Sequence, residues 1–491
     1  MNSRLTIPIT IALLSPLSQT LLAQSDFPGF LPGNLVVSRS VYTGTASTVT
    51  VGQKLPPSCP STATCPTSTA TNDGTYPNVW LNEKIDGSFG VTSPIFLDQL
   101  SPEGALINSY AVPTSLLVTS FPSKSEIALN LSPDGSVLTF MGYVAPPNTL
   151  DVSNSNTPGV VDPTNPVGAN YSRAVAQLYP SGALQITNTN AYSGNNGRAA
   201  VLANGYYYMV GNSNNGGGTP ANVVASAGVQ LAEPGQTPGA PVEIGSFSIT
   251  QYNDPATGMP YPPDKAGKDN NFRGLTIFDN TLYVTKGSGG NGINTVYQVG
   301  NAGSLPTAAN ASSAPFMILP GLPATLAKNA DATHPFGLFF ANAHTLYVAD
   351  EGDGVVANAA STAAGLQKWV LVDGSWQLAY VLQNGLDLGK PYSVANYPAA
   401  LNPATDGLRN ITGRVNGDGT VTIWAITSTV SANTDAGADP NKLVVITDIV
   451  ANRDPAIAAE EKFATLQSAG FGEVLRGVSF TPGTHMRHHR R

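Results

Sequence analysis

The sequence predicts an all-β protein, a single β-propeller of six four-stranded blades, and three observations carry that prediction. Period-2 runs rich in Val, Ile, Tyr and Leu recur along the 491 residues, while long amphipathic helical patterns are almost absent. Similar strand-turn-strand phrases return at roughly seventy-residue spacing, the mark of a modular array. The two ends of the chain each carry half of one such phrase, so a sixth copy forms only if they join.

Taken in order, "GNLVVSRSVYTG" (33–44) is a strand with no partner strand before it, and "PIFLDQLSPEGALINSYAV" (94–112) is a hairpin. "SEIALNLSPDGSVLTFMGY" (125–143) and "RAVAQLYPSGALQITNT" (173–189) form the next pair of hairpins. Inner hairpins follow in "SGNNGRAAVLANGYYYMVGN" (193–212), "KDNNFRGLTIFDNTLYVTKGSGG" (268–290), "ATHPFGLFFANAHTLYVADEG" (332–352) and "DGLRNITGRVNGDGTVTIWAITS" (406–428), with an outer one in "GLQKWVLVDGSWQLAYVL" (365–382). Aligned on their first strands, the copies place Ile127, Ala199, Gly274, Gly337, Asn410 and Gly477 at one position. Glycine or alanine suits strands that crowd around an axis. The last phrase, "VLRGVSFTP" (474–482), lacks its second strand, which "GNLVVSRSVYTG" supplies, and ring closure of this kind removes exposed sheet edges. A seventh blade would need strands hidden in 52–88 or 384–406.

Composition agrees with a turn-dense globular chain. Gly 50 and Pro 39 punctuate it, and 41% hydrophobic residues suffice for a core. Charged residues make up 11% and the net charge is -8, which gives no nucleic-acid patch. Residues 1–24 read as a secretory signal peptide, followed by a propeller domain over 25–483 with a long insertion at 44–93 and a basic tail over 484–491. No other stretch approaches a membrane span. The expectation is a secreted or periplasmic monomer, in which Cys59 and Cys65 form a small disulfide loop.

The phrases "PIFLDQLSPEGALINSYAVP", "SEIALNLSPDGSVLTFMGY" and "GLQKWVLVDGSWQLAYVL" resemble "VFLDEYTPxGxLVQSIALPT"-like phrases in a group of secreted bacterial proteins of propeller type. The resemblance covers most of the chain after the leader. It implies export and the propeller fold, and it brings no activity with it.

Loop lengths point to one face. The turns "SPDGS", "ANG", "FDN", "NGDG", "SPEG", "PSG" and "VDG" are short, whereas 44–93, 144–172, 251–270, 351–364, 384–406 and 428–440 all fall on the face where the inner strands begin. First-strand positions on that face hold Glu126, Arg198, Arg273, Phe336, Arg409 and Arg476, preceded by Asn195, Asn196, Asn270, Asn271, His334 and Asp406. Guanidinium forks suit carboxylate or sulfate, and asparagine amides suit hydroxyls, so the pattern predicts an acidic or hydroxyl-rich ligand such as an extracellular glycan. Pairing of the arginines with neighbouring acids between blades is the competing expectation. A catalytic alternative uses His334 as general base with Glu126 or Asp406 as partner acid, in a lyase or hydrolase of acidic polysaccharide. A protein-interaction scaffold is the third reading. Asp350, Glu351 and Asp353 in "ADEGDGVV" offer oxygens to Ca²⁺, without EF-hand spacing.

Overall fold

The computed structural model describes residues 27–55, 68–83, 89–235, 242–329, 332–360, 363–434 and 436–485. The predicted leader, Cys59, Cys65 and residues 486–491 lie outside them, and with them the predicted disulfide and most of the basic tail.

Six antiparallel sheets of four strands form the ring that the repeat predicts. Blade 1 joins the chain ends in the order Glu473–Phe480, Leu35–Val41, Ile95–Leu100, Leu106–Ala111. Blade 2 runs Asn130–Leu131, Leu138–Tyr143, Arg173–Leu178, Leu184–Thr189, and blade 3 runs Gly197–Ala203, Tyr206–Gly211, Gly228–Ala232, Val242–Glu243. Blade 4 is Leu275–Phe278, Thr281–Lys286, Thr295–Val299, Phe316–Ile318. Blade 5 is Pro335–Asn342, Thr345–Asp350, Gly365–Val372, Ser375–Leu382, and blade 6 is Ala404–Val415, Thr420–Val430, Lys442–Ile449, Ala464–Ser468. The segments 52–88 and 384–406 add no blade; among their described residues the first contributes only the short pair Lys54–Leu55 with Ser68–Thr69.

Closure has a defined register. Leu35 pairs with Phe480 and Val41 with Glu473, with an irregularity between Val37 and Arg39. At that irregularity the Ser38 hydroxyl donates to the Ile127 carbonyl in blade 2 (2.6 Å) and accepts from the Gly477 amide (2.8 Å), which ties the closing strand to the next blade.

The first strand of each blade lies innermost and meets the first strands of its two neighbours. Their crowding explains the small residues there. A Cβ on Gly274 would sit 2.2 Å from the Phe336 carbonyl of blade 5, and one on Gly477 would sit 2.6 Å from the Leu129 amide nitrogen of blade 2. Between blades, alternating apolar residues close the core, as where Phe278 stacks on Phe340 with centroids 4.8 Å apart.

The described part of the insertion 44–93 packs over one sector of the loop-rich face. Its Trp80 is fully buried, 4.8 Å from the Tyr42 ring and 4.9 Å from Phe121, and the Tyr76 hydroxyl donates to the Ala438 carbonyl of a blade 6 loop (2.8 Å). Among the described residues no helix is long and apolar enough to cross a membrane.

Candidate functional site

The six first-strand residues stand at equivalent positions of the cyclic repeat. They do not share one environment. Arg198 and Arg273, with Asn195, Asn196 and Asn271, line an open cavity of about 380 Å³ whose wall also includes Lys124, Ser125 and Ser288.

Arg198 is 5% exposed. Its guanidinium donates to the Phe272 carbonyl (2.6 Å), to Asn271 Oδ1 and to Asn196 Oδ1 (3.3 Å). Among the described residues it makes no ion pair with a carboxylate. Burial, with Arg273 alongside, pulls it well below the usual guanidinium range. Arg273 donates to the hydroxyls of Ser288 (2.8 Å) and Ser125 (3.1 Å), lies over the Phe336 ring, and stands 3.7 Å from Glu351.

Arg409 and Arg476 turn away from the cavity. Arg409 is paired with Glu351 at 3.0 Å, so this carboxylate serves two arginines. Burial pushes the Glu351 carboxyl up, but Arg273 and Arg409 outweigh it and hold the group below its usual range. Arg476 is 2% exposed beneath the 44–93 cap, where it donates to the carbonyls of Phe121 and Gly437 (2.7 Å to the latter). The competing expectation of interblade pairing therefore describes Arg409 and, at the longer distance, Arg273, whereas Arg198 has no such carboxylate among the described residues; Arg198 and Arg273 both line the open cavity.

Glu126 is buried behind the ring and accepts from Tyr143, Thr119 (2.8 Å) and the Ser120 amide (2.9 Å). Burial raises its pKa despite those bonds. Asn270 is not on the cavity wall: its amide closes a pair of bonds with the Phe247 backbone (2.9 and 3.2 Å). Asn195 is positioned by a residue that the sequence pattern did not flag. The fully buried Arg173 donates to its carbonyl, as well as to Ser153 and Tyr171 carbonyls at 2.8 Å.

His334 is half-buried and stands outside the cavity wall. Its backbone is fastened by Asp350 Oδ2 (2.8 Å) and the Glu351 amide (3.0 Å), and burial lowers its pKa. Asp406 is 2% exposed and accepts from the Gly354 amide (2.9 Å); burial pushes it up to about 6. Asp350 accepts from the Gly352 amide and Gln367, Glu351 serves the arginines, and Asp353 bonds Val355 and Asn358 in an exposed turn. These three acids diverge, and among the described residues no group of three or more His, Cys, Asp or Glu side chains is arranged to hold a metal ion.

Lys124 was missed although the alignment contains it. It lies two residues before Glu126, in register with Asn196, Asn271 and His334. Ser288, by contrast, follows a second strand and has no signal in the inner-strand pattern.

No protein-family model matches the chain, and the comparison with curated proteins finds no match. Among solved structures the chain is similar to an acylaminoacyl peptidase from Pyrococcus horikoshii, at 6% identity and TM-score 0.31, covering 75% of this chain and 43% of that one. It is also similar to an apocarotenoid oxygenase mutant from Synechocystis (10% identity, TM-score 0.23, 80% of this chain and 59% of that one). A DUF4221 family member from Bacteroides vulgatus gives 12% identity and TM-score 0.27, over 73% of this chain and 88% of that one. The chain spans less than two thirds of the peptidase and of the oxygenase, and likenesses this distant carry no argument about activity.

Proposed function

We propose that the protein is an exported propeller that binds an acidic, hydroxyl-rich ligand, a glycan carrying carboxylate or sulfate groups, at the arginine end of its channel. One observation carries this reading: Arg198, a buried guanidinium without a carboxylate partner among the described residues, lies beside Arg273 on the wall of an open cavity. Two adjacent cations that repel each other favour an anion between them. Lys124 adds a third positive charge to the wall, and Asn195, Asn196, Asn271, Ser125 and Ser288 supply amides and hydroxyls for sugar hydroxyls. The local field opposes the net charge of -8, as a cleft of one sign can. Binding is favoured over catalysis because His334, the general-base candidate, stands off the cavity wall.

The test is a binding screen of uronic-acid, sulfated and neutral oligosaccharides of matched length. Acidic ones should bind in a salt-sensitive manner. Lys124→Gln and Arg273→Gln should each weaken them by about 1.5 to 3 kcal/mol, the scale of a hydrogen bond to a charged group. Equal affinity for neutral and acidic oligosaccharides, or variants that bind as the parent does, would defeat the reading.

A further inference from the structure

The opposite end of the channel carries a second concavity that the arginine site does not use. It has a volume of about 740 Å³ and is built by the short turns of blades 2 to 5. Its floor is apolar: Leu202, Ile277 and Phe278 are only half-buried there, and Leu305 lies beneath. Phe278 is braced by its stack on Phe340, so this wall is rigid. The concavity is continuous with the channel, since Ser132, Pro133 and Ile277 line both.

The polar rim is of one sign. Asp134 and Asp279 stand on it, and no Lys, Arg or His among the described residues lines the concavity. The Asp134 carboxylate is fixed, because one of its oxygens accepts from the Ser132 hydroxyl (2.6 Å), the Ser136 amide (3.0 Å) and the Ser136 hydroxyl (2.8 Å). Those bonds, led by Ser132, hold the group below its ordinary range and keep it ionised. Asp279 sits in a left-handed turn, φ 44°, that fixes its backbone on the rim of blade 4. His485 touches the Asp134 carbonyl from outside the concavity (2.9 Å).

We propose that this funnel is a second binding site, for a small apolar group bearing a positive charge, an alkylammonium or the equivalent end of a larger molecule. Water-exposed Leu, Ile and Phe surface in a concave, rigid wall gains from an apolar occupant, and the two rim carboxylates select the charge that occupant carries. The channel thus has a cation-lined end that favours anions and an acid-rimmed end that favours cations. The two sites stand or fall separately, because they share no residue.

The experiment titrates the full chain with heptyltrimethylammonium and with octanoate, an apolar chain of similar length with the opposite charge. The ammonium should bind about tenfold more tightly, the product of modest attraction and repulsion at two exposed carboxylates. Asp134→Asn combined with Asp279→Asn should close that gap to within about threefold. Ala343→Trp fills the funnel from an exposed turn and should abolish binding of both probes, with an unchanged melting temperature showing that the ring is intact. Equal binding of the two probes, no binding, or binding indifferent to Ala343→Trp would overturn the proposal.

Discussion

At the scale of single residues, burial decides what the charged groups of the ring do, and burial is what residue identity conceals. Asp350 and Asp406 read in sequence as a metal ligand and a catalytic acid; in the fold they are enclosed between blades 5 and 6, where burial pushes them up to about 7 and about 6. Asp406 Oδ1 has no hydrogen-bond partner among the described residues. Lys286 is fully buried with its ammonium on the Ser288 and Asn291 carbonyls and Asn294, and burial lowers it to about 7. These shifts fix the shape of stability against pH. Between about pH 4 and 7 the folded protein holds protons on Asp350 and Asp406 that the unfolded chain has lost, so stability falls as pH rises through that range. Between about pH 7 and 10 the unfolded chain holds a proton on Lys286 that the folded one has shed, so stability climbs again. His334, lowered by burial, opposes the acid limb as a single group. Calorimetry from pH 5 to 9 should therefore find the lowest melting temperature near neutrality. Asp406→Asn should flatten the acid side and Lys286→Met the alkaline side; a maximum at pH 7 would refute this account.

At the scale of elements, the sequence was legible wherever two-residue alternation and tight turns coincide, and it lost detail where packing overrides pattern. The phrases at 173–189 and 365–382 form the hairpins they predict. The inner strand of blade 2 shrinks to Asn130–Leu131, because Ile127, aligned with the glycines of other blades, adopts φ 50°. Blade 6 has an asparagine at this position, and its amide donates to the Arg476 carbonyl of blade 1 (2.8 Å), which turns a close approach into a hydrogen bond. The same crowding gives a sharp contrast between two glycines. Gly274→Ala drives its methyl against the Phe336 carbonyl, a backbone atom that also accepts from Thr285, and should cost about 1 to 3 kcal/mol in denaturant unfolding. Gly217→Ala meets nothing within 4 Å and should stay within about 0.5 kcal/mol. Equal costs would show that the axis is looser than the observed approach distances require.

At the scale of the whole molecule, closure determines both stability and site geometry. The ring was readable because each terminus carried an incomplete hairpin. The division of the arginines was not, since it depends on the 44–93 insertion and on Glu351 reaching across from the loop between the second and third strands of blade 5. The closing strand Glu473–Phe480 is the innermost strand of blade 1 and is buried almost throughout. It carries Leu475, Val478 and Phe480 into a cluster with Leu35, Val37 and Trp424, and it holds Arg476 under the cap. Removing it would uncover the inner edge of Leu35–Val41 and withdraw the neighbour on which blades 2 and 6 rest. A local defect would leave the other five blades folded, but each inner strand is supported from both sides, so a gap in the ring leaves two blades with exposed apolar flanks. Deletion of residues 474–491 should therefore abolish the single cooperative unfolding transition and produce a species that binds an apolar dye and aggregates. Deletion of residues 486–491 alone should leave the transition in place. A five-blade remnant that melts sharply and stays monomeric would show instead that the blades are stable without closure.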